Sequence, residues 1–304
     1  MKQNFSHKIV RRPCPFCGSL CPPKAQNCPK YGEPLQPLES LHDTRNDTDQ
    51  KPQSDGKNYL DSLESIIGKK IPRKETITNK QIGYKEQGKK ITGISLPRCR
   101  LKTLPPLISR LLSVKTLFLS HNFMHKFPKP ILRMPNLEIL RLDHNQFTEL
   151  PSHVTKLNSL RKLILNSNKV ECFPARIDEL SALTTLSLRR NKLTQLPDSF
   201  GLLPSLKHLN LRLNQFEEFP KTICHIQTLT RLNLSSNQLK SLPPEIGNLK
   251  SLEYLNLSSN KLRKLPSSLS NLSCLKELNL KGNFWMQIPG SVKKLENRGL
   301  KIKK

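Results

Sequence analysis

The sequence predicts an α/β solenoid in which a parallel sheet lines the inner face and short helical turns form the outer wall. A 23-residue unit recurs nine times without insertion. Leucines alternate with other residues in the middle of each unit, as they do in a strand with one buried side. Apolar residues three apart follow in each unit, as in a helical turn. A repeat of this length takes precedence over segment-by-segment assignment, because each unit stacks on the next.

The unit reads L-x-x-L-x-L-x-x-N-x-L-x-x-L-P. Position six is leucine and position fifteen is proline in every copy. Position nine is asparagine in every copy except the first, where Cys99 stands. The units begin at Ile91, Val114, Leu137, Leu160, Leu183, Leu206, Leu229, Leu252 and Leu275.

Each part of the unit has a physical role. Alternation at positions four, five and six places leucine on the buried side of a strand and position five in solvent. The asparagine is expected to bond backbone groups where the chain leaves the strand, and so to form a ladder across the stack. Positions eighteen and twenty-one, such as Ile177 and Leu180, predict the convex turn. A single unit buries too little to fold alone, so neighbours must stack.

This pattern resembles the leucine-rich-repeat family in its short LPxxIxxL form, as in Ras-group and prokaryotic cytosolic proteins. The resemblance covers about two thirds of the chain. It implies a curved right-handed horseshoe with a parallel β-sheet on the concave face. It also implies use as a protein-binding scaffold.

Both ends of the solenoid are predicted to carry caps, because an open stack exposes a strand edge and a half-covered core. Ile82 and Tyr84 alternate before a Gln-Gly turn and predict a hairpin that leads into the first repeat. Beyond residue 295, Leu300 and Ile302 predict a last strand that is one residue out of step with the period. The repeat domain is therefore predicted to span residues 82–304.

The residues before the solenoid are predicted to hold little structure. Residues 1–13 are expected to be disordered. Residues 36–81 are rich in Asp, Lys, Asn, Gln and Thr, as a solvated and largely disordered linker should be. Within that linker, residues 59–67 have an apolar spacing of three and four, which predicts a short amphipathic helix. Docking of this helix on the solenoid is favoured over docking on a partner.

Residues 14–35 resemble a small zinc ribbon. Cys14 and Cys17 form a C-x-x-C knuckle, which supplies half of a tetrahedral zinc site. Cys28 should be matched three residues later, but Tyr31 stands there, and Cys21 is the nearest remaining thiol. Two interpretations stay open. Either zinc is held by Cys14, Cys17, Cys21 and Cys28, or the ribbon has decayed and no longer binds metal.

The composition limits the kind of partner. The 51 Lys and Arg residues against 23 Asp and Glu residues give a formal charge of +28, which favours acidic proteins, nucleic acid or anionic lipid. No apolar stretch has the character of a signal peptide or the length of a membrane span. Clustered cysteines favour metal binding in a reducing cytosol over a disulfide framework, so a cytoplasmic protein is predicted.

The candidate binding surface consists of positions three, five, seven and eight, which point away from the core. In repeats two to seven these positions place apolar side chains beside basic ones, as interface hot spots do. The predicted partner-binding residues are Phe118, Ile139, Arg141, Lys162, Ile164, Arg189, Arg190, His208, Arg212 and Arg231. The alternative is that single exposed apolar residues are ordinary and that the charges only keep the solenoid soluble.

The sequence predicts a non-enzymatic scaffold for an acidic protein partner. It contains neither a phosphate-binding P-loop motif nor a nucleophile elbow, and His121, His144 and His208 are interpreted as isolated surface side chains. By resemblance to Ras-group repeats, a small GTPase or its regulator is one candidate partner. Nucleic-acid binding is the alternative, although only 5% of residues are aromatic and stacking platforms need more. Membrane attachment ranks last, because no lipidation motif is present.

Overall fold

A computed structural model describes residues 57–283 and 287–304, together with two short strands near the amino terminus. The chain divides into two compact units, Met1–Gln53 and Ser54–Lys304. The second unit contains the repeats.

In the first unit, β1 (Arg12–Pro13) pairs with β2 (Leu20–Cys21) in an antiparallel manner. The last two residues of the segment predicted to be disordered, Arg12 and Pro13, thus form backbone pairs with β2. Of Cys21 only the backbone is described. The other predicted zinc ligands, Cys14, Cys17 and Cys28, lie outside the described residues. The metal site stays a prediction.

The second unit is built on one eleven-stranded sheet in which strands follow one another in chain order. β3 and β4 pair antiparallel, and every later pair is parallel. This confirms the predicted solenoid and its opening hairpin. The strands are β3 (Gly83–Gln87), β4 (Lys90–Ser95), β5 (Thr116–Phe118), β6 (Ile139–Arg141), β7 (Lys162–Ile164), β8 (Thr185–Ser187), β9 (His208–Asn210), β10 (Arg231–Asn233), β11 (Tyr254–Asn256), β12 (Glu277–Asn279) and β13 (Lys301–Lys303).

The core lies between this sheet and a row of short 3₁₀ turns. Leucines at positions four and six, such as Leu140 and Leu142, are fully buried. Most turns begin directly after the position-fifteen proline, because its fixed φ leads the extended chain into the turn. The turns are Pro106–Arg110, Lys129–Arg133, Ser152–Lys156, Ile177–Glu179, Asp198–Leu202, Lys221–His225, Pro244–Asn248 and Ser267–Asn271.

The asparagine ladder forms as predicted. Asn191 is typical: its Nδ2 donates to the carbonyls of Leu165 and Leu188 at 3.0 and 2.9 Å, and its Oδ1 accepts the N–H of Val170 at 2.9 Å. The residue before each asparagine has a left-handed backbone, with φ of 59° at Arg190, for example. That conformation is unfavourable for residues other than glycine, and the bonds of the ladder offset its cost.

The short helix predicted within the linker is present, and the segment that follows it packs on the repeats, where a disordered linker was expected. The helix α1 (Lys57–Ile67) begins two residues before the predicted start. Leu60, Leu63 and Ile71 are buried in the same core as the repeats, so the helix packs in cis as favoured. The Oε1 atom of Glu64 accepts the N–H of Ile71 at 2.7 Å and holds the segment after the helix. A few apolar side chains are enough to cover the open end of the stack, although the composition around them is polar.

The carboxyl end is capped as predicted. After the short helix α2 (Gly290–Lys293) and a 3₁₀ turn at Glu296–Arg298, β13 pairs with β12. Lys301 stands opposite Glu277, a separation of 24 residues, which confirms the one-residue offset. Gly299 has a φ of 91° and accommodates the altered turn. Within the described ranges, no helix has the length and apolar character of a membrane span.

Candidate functional site

The predicted binding residues lie on the strand face opposite the core. Phe118, Ile139, Ile164 and their neighbours occupy odd strand positions, while the leucines between them are fully buried. The exposed side chains of Arg189, Arg190 and Arg212 lie two or three residues after the ends of β8 and β9. This arrangement leaves all ten predicted side chains available on one face. That they bind a partner stays a prediction.

Phe118, Ile139 and Ile164, which we call the apolar patch, surround a single arginine. Arg141 stands opposite Phe118 on one side and Ile164 on the other, and Ile139 lies diagonal to both. All three apolar side chains are half-buried. They therefore offer a shallow apolar surface around the guanidinium group of Arg141.

The charge of Arg141 is neutralised within the protein. Its Nε lies 3.1 Å from Oδ2 of Asp143, whose side chain is only 7% exposed. Ser120 Oγ donates to the same oxygen at 3.2 Å, and the N–H of Asn166 donates to Oδ1 at 3.3 Å. Arg141 therefore differs from the free cation that the sequence suggested. The sequence interpretation missed a signal of this pairing, which is an aspartate two residues after an arginine. Residues two apart share a face of a strand, so their side chains can meet.

The remaining basic residues form a second group, which we call the cationic patch. Among residues 57–283 and 287–304, no carboxylate lies within 4.0 Å of its lysine or arginine side chains. Burial is the largest cause that lowers the pKa of His208, and the positive charges of Arg231, Lys162 and Lys207 lower it further. The ring therefore tends to be neutral near pH 7. The patch consists of Lys162, Arg189, Arg190, His208, Arg212 and Arg231.

Tyr254 extends the cationic patch, and the sequence interpretation missed it. The guanidinium carbon of Arg231 lies 3.8 Å from the centroid of the Tyr254 ring, which is a close cation–π contact. Tyr254 occupies position three of the eighth repeat, directly opposite Arg231. Following position three along the strands, rather than treating the late repeats as plain scaffold, would have identified it.

His121 and His144 are not isolated, contrary to the sequence interpretation. Their rings stack with centroids 4.1 Å apart and an interplanar angle of 8°. Burial is the largest cause that lowers the pKa of His121, and electrostatic interactions with His144 and Arg98 lower it further. The carboxylate of Asp143 acts in the opposite direction. Within the part of the chain that the structure describes, no three His, Cys, Asp or Glu side chains are grouped so that they could hold a metal ion.

Comparison with known families points to the repeats. The family model "Leucine rich repeat" matches residues 158–216 and 227–283, and a second model of the same description matches residues 136–157. No curated protein matches the chain.

Solved structures share the fold. The leucine-rich-repeat domain of the type III effector XopL is 22% identical over 85% of this chain and 86% of that domain, with a TM-score of 0.64. The ectodomain of the membrane receptor kinase GASSHO1/SCHENGEN3 from Arabidopsis thaliana is 29% identical over 73% of this chain, with a TM-score of 0.60. A TDR receptor is 28% identical over 69% of this chain, with a TM-score of 0.56. The matched region spans 28% and 42% of the two receptor chains.

Proposed function

This chain is a leucine-rich-repeat protein, and we propose that its concave face binds an acidic protein partner across the apolar and cationic patches. Such solenoids commonly serve as protein–protein interaction modules, because stacked repeats create an extended surface. The GASSHO1/SCHENGEN3 ectodomain was solved in complex with CASPARIAN STRIP INTEGRITY FACTOR 2. That complex supports a binding role for a related solenoid.

One observation carries the proposal: five permanent cations on adjacent repeats have no carboxylate partner in the described structure. Elsewhere on the repeats, Lys115, Lys192 and Lys240 each pair with a glutamate, whereas others such as Arg133 and Lys156 have no described carboxylate within 4.0 Å. The five cations of the patch are distinguished by lying together on the concave face. Like charges on neighbouring strands repel one another, so the fold gains nothing from this cluster. A partner that supplies carboxylates removes the repulsion, and its apolar side chains can contact Phe118, Ile139 and Ile164.

The size of the surface suits a folded protein. Nine repeat strands at a spacing of about 4.8 Å give a wall of about 38 Å. Complementary charge across such a surface raises the association rate and excludes wrong partners. Binding should therefore weaken as ionic strength rises.

The test compares two charge-reversed variants of the full chain. One carries Arg189→Glu and Arg212→Glu on the concave face. The matched control carries Arg133→Glu and Lys156→Glu in the convex turns, which changes the net charge equally. We expect the concave variant alone to lose the proteins that the wild type captures from lysate, with nuclease having no effect. Equal loss in both variants contradicts the proposal, and loss on nuclease treatment favours nucleic-acid binding instead.

Three finer proposals accompany this function. The Ras-group resemblance supports a small GTPase or its regulator as partner, and identification of the captured proteins tests it. The cysteine pattern supports a cytoplasmic location.

We also propose that Cys14, Cys17, Cys21 and Cys28 hold one zinc ion. Metal analysis of the purified chain should find zinc that Cys14→Ser removes, whereas a metal-free chain indicates a decayed ribbon.

A further inference from the structure

We propose that the cationic patch recognises a phosphorylated side chain of the partner, whose phosphoryl group binds the guanidinium groups of Arg189, Arg190 and Arg212. This inference rests on the proposed function of the concave face and names the chemistry of the partner's negative group.

The first argument is the kind of cation present. The whole chain has 34 lysines and 17 arginines, yet the five permanent cations of the patch include only one lysine, Lys162. Charges that serve solubility alone would follow the twofold excess of lysine. Arginine presents a planar fork of donors that matches the oxygens of a phosphoryl group, whereas lysine acts as a point charge. The arginines of the patch therefore offer the donor geometry that an oxyanion requires.

The second argument is the arrangement of the three arginines. Arg189 and Arg212 occupy position seven of adjacent repeats, and the N–H of Arg190 donates to the carbonyl of Arg212 at 2.8 Å. Strand spacing therefore places these backbones about 5 Å apart. All three side chains are exposed, and no described carboxylate separates them. A single carboxylate carries one charge, while a phosphoryl group carries about −1.5 to −2 with three acceptor oxygens. The phosphoryl group therefore matches the cluster better.

The third argument is that the backbones of these arginines are held in place. The Oδ1 atom of Asn166 accepts the N–H of Arg189 at 2.9 Å and the Oγ–H of Ser187 at 2.7 Å. The Oδ1 atom of Asn210 accepts the N–H of Arg212 at 3.0 Å. Fixed positions on a rigid element reduce the ordering cost of binding.

The neighbouring apolar patch sets a spacing for the partner. Ile164 lies one strand before Arg189 and two positions earlier in the repeat, a separation of about 8 Å across the sheet. An extended peptide covers that distance in about two to three residues. We therefore expect an apolar side chain two or three residues from the phosphorylated one.

The experiment uses degenerate peptide libraries on the immobilised full chain. Three libraries share random flanks and differ at one fixed position, which is phosphoserine, glutamate or serine. We expect the phosphoserine library to be retained at least about tenfold more than the glutamate library, with apolar residues selected two or three positions away. The variant Arg189→Gln, Arg190→Gln, Arg212→Gln should lose this preference. The control Arg133→Gln, Lys156→Gln, Lys221→Gln removes the same charge from the convex turns and should keep it.

The outcomes separate this inference from the proposed function. Equal retention of the phosphoserine and glutamate libraries overturns the inference and leaves an acidic protein partner standing. Retention of phosphoserine without selection of flanking residues, and equally in both triple variants, overturns it as nonspecific charge attraction. Retention of none of the libraries, combined with tight binding of single-stranded RNA, overturns the inference and the proposed function together.

Discussion

Replacing Asn191 with alanine should cost about 2–6 kcal/mol of stability, because one buried N–H loses its partner at about 1–3 kcal/mol and two buried carbonyls each lose one of two hydrogen bonds at about 0.5–1.5 kcal/mol. The N–H is that of Val170. The carbonyls are those of Leu165 and Leu188, which keep their bonds to Asn168 and Asn214. Asn191 is only 7% exposed, and the position is closed in by repeats on either side, so water cannot easily take its place. The change also leaves Arg190 in a left-handed conformation with less to hold it there.

Asn283→Ala provides the matched control. Asn283 makes the same three kinds of bond but is half-buried in the last repeat, so water can replace its amide and the loss should be about 1 kcal/mol. Urea unfolding followed by far-UV circular dichroism measures both variants, and an unchanged m-value shows that the transitions are comparable. A loss below about 1 kcal/mol for Asn191→Ala, or equal losses at the two sites, would refute the reasoning.

Three further predictions concern single positions. Burial and nearby cations lower the pKa of His208, whereas the carboxylates of an acidic partner should raise this pKa, so binding should tighten as pH falls from 7.5 to 5.5. In calorimetry, His208→Gln should lose part of this pH dependence. A pH dependence of binding that is unchanged in the variant contradicts the prediction. Burial raises the pKa of Cys224 to about 12, so iodoacetamide at pH 8 should label the exposed Cys274 and spare Cys224 until the protein unfolds, as peptide mass spectrometry would show. Leu63 is 1% exposed, so Leu63→Ala should destabilise the amino-terminal cap by about 2–5 kcal/mol in urea unfolding. Ile66 is 55% exposed, so Ile66→Ala should change the stability little. Equal effects of the two substitutions would mean that α1 does not pack as described.

Local chemistry was enough to predict the repeats and their ladder. Each asparagine bonds groups 3, 21 or 26 residues away, as at Asn191 with Leu188, Val170 and Leu165, so a strict period brings every set of partners together. The last strand was also predictable, because Leu300 and Ile302 restore the alternation after a turn of altered length. These features depend on spacing along the chain, which the sequence states directly.

The sequence predicted where the candidate site lies on the sheet, but it did not predict how the charged side chains of the site are paired. The strand period assigned Phe118, Ile139 and Ile164 to the solvent-facing side of the sheet. The period could not show that Arg141 is paired with Asp143, that Arg231 lies over Tyr254, or that two histidine rings stack. Those contacts depend on which rotamers long side chains adopt between neighbouring strands, and several partners were within reach of each side chain.

The sequence by itself determined the repeat period, the strand face, the positions of the turns and the excess of positive charge, because these follow from the order and kind of residues. Only the tertiary structure decided that the segment after Lys57 packs as a cap, since burial of Leu60, Leu63 and Ile71 requires a surface that exists only once the repeats have stacked. Only the tertiary structure separated a neutralised arginine from free ones, because the effective charge of a side chain depends on what lies within a few ångströms of it.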